Sequence, residues 1–288
     1  MIAMQPGSQP CEHAFVLGGG GLLGAHEVGM LRALAEYSIR PDLIVGTSIG
    51  AVNGAFFAAD PSAAGAERLA ELWLQANQGE RDARTTLRRL TTLARSGTHL
   101  ESLDKLCDVL RAVLPVQRVE ELAVRFQCVA ASIERAAEHW FETGPLAEVL
   151  LASCAVPGIL PPVRIGDQHF IDGGIVNSVP VSRAVALGAR QIYVLQVGRL
   201  EQPLKPPQRP WEVGLVAFEI ARRHRFAHDL TSLPAEVELH VLPTGGSAAP
   251  AYSDVSAQFR VRRLARTVRR QIDAAYEATT KYLAGQGA

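Results

Sequence analysis

Apolar residues along the chain fall into short unbroken runs, separated by stretches in which they recur every three or four positions. Ala14 to Leu17 is a short apolar run that stops at Gly18-Gly19-Gly20-Gly21, which predicts a strand opening into a glycine loop. Val28, Leu31, Leu34 and Ala35 then keep helical spacing within Ala25 to Tyr37. Leu43-Ile44-Val45 predicts a second buried strand, and Ile49 to Ala59 a second helix. Two strand–loop–helix units in the first 60 residues predict a parallel sheet covered on both faces. Leu43 to Ala59 is also 17 residues long without a charge, with Gly46, Gly50 and Gly54 spaced four apart, as in helices that pair within membranes. Seventeen residues is the short limit for a span, and Thr47, Ser48 and Asn53 add polar groups. A strand and helix packed closely through those glycines accounts for the same residues.

Residues 65–114 hold no strand pattern. Leu69, Leu72 and Trp73, then Leu87, Leu90 and Leu93, then Leu103, Leu106, Leu110 and Val113 predict a helical insertion over one end of the sheet. Strands resume at Phe126 to Ile133 and His139 to Glu142, followed by a helix over Leu146 to Cys154. Val163 to Ile165 and His169 to Ile171 flank Gly166-Asp167, a hairpin signal. Val181 to Leu187 predicts a helix, Ile192 to Val197 a buried strand, and the proline-rich Gln202 to Pro210 a connector. Val213 to Asp229 predicts a helix, Val237 to Leu242 a strand and Asp254 to Leu283 a long final helix. The expected organisation is a tail over 1–12, a main domain over 13–197 and a C-terminal segment over 198–288 packed on that domain.

Composition removes several classes. Of 288 residues, 48% are hydrophobic, enough for a large core and against disorder. Lys and Arg number 29 and so do Asp and Glu, so the basic excess of a nucleic-acid binder is missing and no nucleic-acid partner is expected. Cys11, Cys107, Cys128 and Cys154 form no CxxC pair, so no metal site is expected, and the expectation is free or buried thiols in a reducing compartment. The first twelve residues lack a basic start and an apolar stretch, so no signal peptide is expected and the expected location is the cytoplasm.

Gly19-x-Gly21-x-x-Gly24 sits between the first strand and the first helix, where bare backbone and free helix amides can meet an anion. A dinucleotide site of this pattern also needs an acid at the end of the second strand, and that strand ends in Gly46-Thr47. Gly46-Thr47-Ser48-Ile49-Gly50 is a G-x-S-x-G between strand and helix, the setting of a nucleophile elbow. An attacking serine makes an oxyanion that needs preorganised N–H donors, which the amides of Gly19, Gly20 and Gly21 can supply without any nucleotide. The serine also needs a base. His224, His228 and His240 follow it, the first two in the charged stretch Arg222 to Asp229, which reads as a solvated helix face. Asp172, in Phe170-Ile171-Asp172-Gly173-Gly174, ends a strand and opens a glycine turn, so its carboxylate can reach a site at the strand ends. An Asp-Gly turn bonded to its own backbone accounts for that residue too.

Together these segments resemble the patatin-like phospholipase family. Leu17 to Ala25, Gly46 to Ala51, Ala152-Ser153-Cys154-Ala155-Val156-Pro157-Gly158 and Asp172 to Pro180 stand in the family's order, over about residues 13–197. The resemblance implies a three-layer α/β/α sandwich with a mainly parallel central sheet, a helical insertion and a C-terminal helix. It also implies a Ser48–Asp172 dyad, with Gly19, Gly20 and Gly21 as oxyanion loop and Gly24, Gly46, Gly50, Gly173 and Gly174 as supports. The implied reaction is hydrolysis of lipid acyl esters, of the phospholipid or lysophospholipid class, through an acyl-enzyme and without metal or other cofactor. An ordinary Asp, with pKa about 3.9, is a poor base at neutral pH, so burial or exclusion of water by the substrate has to raise its basicity. The family commonly has Arg or Lys where Leu23 stands, which removes a head-group contact and turns the expectation towards neutral or smaller acyl esters. Other readings of the same residues are a carboxylesterase or thioesterase with a histidine triad, and a catalytically silent lipid-binding member of the fold.

Arg260, Arg262, Arg263, Arg266, Arg269 and Arg270 crowd the final helix, whose apolar stripe is Val261, Leu264, Val268, Ile272 and Ala275. Such a helix either docks on the domain with a solvated arginine face or lies peripherally on an anionic membrane.

Overall fold

The sheet is built around β1 (His13–Leu17), whose alternate residues serve two different cores. The computed structural model describes residues 11–75, 107–108, 110–157, 160–197, 203–208, 210–245 and 264–286. After β1 a 3₁₀ turn over Gly21–Gly24 leads into α1 (Ala25–Glu36), then β2 (Leu43–Thr47), α2 (Ile49–Ala59) and α3 (Ala63–Gln75). Residues 107–108 and 110–113 are helical. β3 (Arg125–Ser132) and β4 (Ala137–Phe141) precede α4 (Leu146–Ser153), and β5 (Val163–Ile165) and β6 (Gln168–Asp172) form the expected hairpin. α5 (Gly174–Asn177), α6 (Val181–Ala186), β7 (Gln191–Leu195), α7 (Pro210–Thr231), β8 (Glu238–Val241) and α8 (Leu264–Gly285) complete the order.

The strand order is β5-β6-β3-β2-β1-β7-β8, with β4 added to β3. β8, β7, β1, β2 and β3 run parallel, in a register that sets Val16 beside Val45 and Val194, and β4, β5 and β6 are antiparallel additions. Side chains alternate across a strand. Phe15 and Leu17 therefore join Ile44, Leu31, Leu34, Phe57 and Trp73 in one core, while Ala14 and Val16 join Val45, Ile192, Val181 and Phe226 in the other. α1, α2, α3 and α8 cover the first face, and α6 and α7 the second. This is the three-layer α/β/α sandwich with a mainly parallel sheet. At roughly 1.5–3 kcal/mol for each large apolar side chain buried, the two clusters dominate stability.

Three details differ from the sequence reading. Residues 11 and 12 were expected in a tail, but Cys11 is buried, and Glu12 accepts from the Gln191 N–H and donates its own to Asp42. They are the approach to β1, satisfied by the edge of the neighbouring strand. The strand expected over Ile192 to Val197 ends at Leu195, whose carbonyl accepts from Gly18, the first residue of the glycine loop. The helix α5, directly after Asp172, was not expected. Of the helical insertion, residues 76–106 lie outside the described residues, as do 1–10 of the tail and 254–263 of the final helix.

Candidate active site

Ser48 occupies the single residue between β2 and α2, at φ 55° and ψ −125°, where a residue with a Cβ rarely sits. Such a conformation stores about 1–3 kcal/mol and persists only when its surroundings enforce it. Several contacts do so. A Cβ on Gly50 would fall 2.5 Å from the Leu17 carbonyl oxygen and 2.7 Å from that of Gly18, so only glycine lets α2 start this close to β1. Gly46 meets Ala51 across the same turn. The Ser48 N–H donates to Ser153 Oγ at 2.9 Å, and that hydroxyl donates to the Val129 carbonyl at 2.7 Å. Thr47 Oγ1 donates to the Asn177 carbonyl at 2.8 Å. The turn is thereby tied to β3, α4 and α5.

Asp172 is the last residue of β6 and is 1% exposed. Oδ1 accepts from the Gly174 N–H at 2.7 Å, the local bond of an Asp-Gly turn. Oδ2 is buried and has no hydrogen-bond partner among the described residues. Burial pushes its pKa up to about 6, against the opposing pull of the Ser48 hydroxyl, the Gly174 amide and the charge of Arg222. Gly173 lies flat on β3, since a Cβ there would fall 2.2 Å from the Val129 carbonyl oxygen. The Cys154 thiol, at the end of α4, also interacts with the Ser48 hydroxyl, and burial raises its pKa well above the ordinary value. All four cysteines are free.

The glycine loop lies over the serine. A Cβ on Gly19 would sit 3.4 Å from Ser48 Cβ, and Gly24, before α1, packs against Ile49 and Asn53. The N–H groups of the loop are not equivalent. Gly19 donates to the Ser178 carbonyl at 2.9 Å, whereas those of Gly20 and Gly21 have no acceptor among the described residues. The expectation of three free glycine amides is therefore corrected to two, because one N–H makes one good bond. Gly19, Gly20, Gly21, Ser48 and Asp172 line one small open pocket, together with Val156, Gly174, Ser178, Phe218 and Arg222.

The three candidate histidines are elsewhere. His224 and His228 are exposed on α7, and His240 is buried between Tyr282, at 3.1 Å from its Nδ1, and the Tyr193 ring, at 4.7 Å. None lines the pocket. The charged stretch from Arg222 to Asp229 was expected to be a solvated face, and this holds only in part. Arg222, Phe226 and Asp229 are buried. Sequence reasoning missed Arg222 and Phe218, which line the pocket. The available signal was their spacing with Phe226, four residues apart each time, which places all three on one face of a helix. It also assigned no role to the Ser153 hydroxyl.

Among the described residues, no cluster of three or more His, Cys, Asp or Glu side chains could hold a metal ion, and no helix is long and apolar enough to cross a membrane.

Patatin-like phospholipase domain-containing protein 7 of Rattus norvegicus is 31% identical over 191 residues, 66% of this chain and 14% of that protein. An uncharacterized NTE family protein of Mycobacterium bovis is 29% identical over 183 residues, 64% of this chain and 48% of that one. This chain thus spans under half the length of either relative. The crystal structure of VipD from Legionella pneumophila aligns with a TM-score of 0.45 at 13% identity, covering 96% of this chain and 67% of that one. The family model for patatin-like phospholipase matches residues 15–185, more than half of the sequence, and the chain belongs to that family.

Proposed function

We propose that this chain is a serine acyl hydrolase that cleaves lipid carboxylic esters, with Ser48 as nucleophile and Asp172 as base. The observation that carries the proposal is the unpartnered, buried Oδ2 of Asp172 in the pocket that also holds the strained Ser48 and the free amides of Gly20 and Gly21. As Ser48 Oγ bonds to the ester carbonyl carbon, its proton passes to Oδ2. The carbonyl oxygen becomes an oxyanion and accepts from the loop amides, each such donor being worth about 3–4 kcal/mol in the transition state. Collapse of this intermediate breaks the ester bond, and the leaving alcohol takes the proton from Asp172. Water then attacks the acyl-enzyme, giving a proton to Asp172; collapse of the second intermediate breaks the acyl–Oγ bond, Ser48 Oγ takes that proton back from Asp172, and the carboxylic acid leaves.

A carboxylate with pKa about 6 is a stronger base than an ordinary one and is still ionised at neutral pH, which resolves the difficulty of a dyad without histidine. The substrate class is the phospholipid or lysophospholipid ester. Apolar Leu23 in the glycine loop offers no head-group charge and favours neutral or smaller acyl esters. The location is cytoplasmic, with peripheral contact at a lipid surface.

The test is hydrolysis of a p-nitrophenyl acyl ester beside labelling with a fluorophosphonate. Ser48→Ala and Asp172→Asn should each lower turnover by about 10⁴-fold or more, and Ser48→Ala should abolish labelling. Wild-type turnover in Ser48→Ala would sink the mechanism. An unlabelled wild-type serine would identify a silent lipid-binding protein instead.

A further inference from the structure

We propose that Arg222, which lies outside the stretch matched by the family, is the positioning residue of the glycine loop and holds the Gly19 peptide in its working orientation. The proposal rests on the hydrolase reading above and adds to it a residue from the C-terminal segment.

Arg222 is 4% exposed and is the only buried Arg or Lys among the described residues. Its three nitrogens are each engaged. Nε donates to Ser178 Oγ at 2.8 Å, Nη1 donates to Glu219 at 3.0 Å, and Nη2 donates to the Gly19 carbonyl. The Gly19 N–H is in turn held by the Ser178 carbonyl, so Ser178 and Arg222 pin this residue at both ends. A peptide unit is planar and trans. Fixing the Gly19 carbonyl therefore fixes the direction of the Gly20 N–H, one of the two loop amides left without an acceptor. Lysine offers a single ammonium in place of a planar fork and cannot span three acceptors in this way.

The same charge reaches the base. Arg222 favours the ionised form of Asp172. The titratable or charged groups facing Asp172 are Arg222 from α7 and the Cys154 thiol from α4, and those facing Arg222 are Asp172, Glu219 and Glu27 of α1. Glu219 is also bound by Arg223 at 2.9 Å, so neutralising Arg222 does not leave that carboxylate without a partner.

The experiment measures ester hydrolysis by the full chain as a function of pH, for wild type, Arg222→Gln and Arg222→Lys. Fluorophosphonate labelling and near-ultraviolet circular dichroism are recorded in parallel. Arg222→Gln should lower kcat about 10- to 100-fold with KM little changed, less than outright loss of a donor at the upper end of its range. It should also move the acid limb of the profile to higher pH, which a merely structural role would not do. Arg222→Lys should keep the acid limb in place while kcat remains reduced.

Wild-type kcat and an unmoved acid limb in Arg222→Gln would overturn the inference and leave the hydrolase reading intact. A raised KM with unchanged kcat would make Arg222 a substrate-binding group and overturn it equally. If Arg222→Gln fails to fold, Arg222→Lys decides, since wild-type kcat there refutes the need for the fork. A wild type that neither turns over nor labels removes the hydrolase reading, and this inference with it.

Discussion

Asp172 couples chemistry to stability at the scale of one residue. Its pKa rises on folding from 3.8 to about 6, so between those values the folded chain binds the proton more tightly than the unfolded one. Stability therefore falls as pH rises across that interval, with no penalty below it and a constant penalty above. At 1.36 kcal/mol per unit the full penalty is about 2–3 kcal/mol. Asp172→Asn removes the charge and should raise unfolding free energy by about 1–3 kcal/mol near pH 8 while abolishing turnover. The difference should vanish towards pH 4, and thermal melts at both pH values check it. The acid limb of kcat/KM should lie at about pH 6 for the same reason. The serine turn was legible in the sequence because glycines on each side announce where backbone must turn sharply, whereas Asp172 was singled out by the family resemblance. The value of the carboxylate's pKa was not legible, because it depends on what covers Asp172 in three dimensions.

Between elements, the tightest approach to test is α1 against α8. A Cβ on Gly29 would fall 2.1 Å from the Ile272 carbonyl oxygen and 2.8 Å from the Tyr276 nitrogen, both rigid backbone. Arg32 stacks 4.6 Å above the Tyr276 ring, and the Tyr276 hydroxyl donates to Glu36 at 2.6 Å along the same seam. Elsewhere in a helix, Gly→Ala gains about 0.5–1 kcal/mol. Here the overlap decides the sign, and Gly29→Ala should cost about 1–3 kcal/mol, read as a lower urea midpoint at unchanged slope. The strands, apart from the end of β7, and the hairpin were found close to where they were expected because each is specified by residues close in sequence. α7 was found as a helix and its His224–His228 face is exposed as expected, but the buried face that carries Arg222 and Phe226 was not recognised. A stretch with this many charges reads as solvated until a partner such as the Gly19 carbonyl appears from two hundred positions away.

For the whole molecule, β8 and the last helix pack against the same sheet and core as the N-terminal elements. Val268, Ile272, Ala275 and Leu283 of α8 lie in the core that also holds Phe15 and Trp73, while Arg269 and Arg270 are exposed. β8 extends the parallel sheet beside β7, and α7 brings Phe218 and Arg222 to the pocket. A chain ending at residue 263 should leave a large apolar surface uncovered and pass into the insoluble fraction on expression. A soluble truncated chain with unchanged melting, but without the liposome binding of the full chain, would instead assign α8 to a lipid surface.

By itself, the sequence determined the alternation of strand and helix and the position of the serine turn, since local hydrophobic period and glycine placement encode both, while Asp172 stood out from an ordinary Asp-Gly turn only through the family resemblance. Only the tertiary structure decided which loop amides stay free, how far burial lifts the carboxylate's pKa and which distant cation reaches the loop. Those properties belong to groups that meet through space, and no spacing along the chain records that Arg222 and Gly19 would touch.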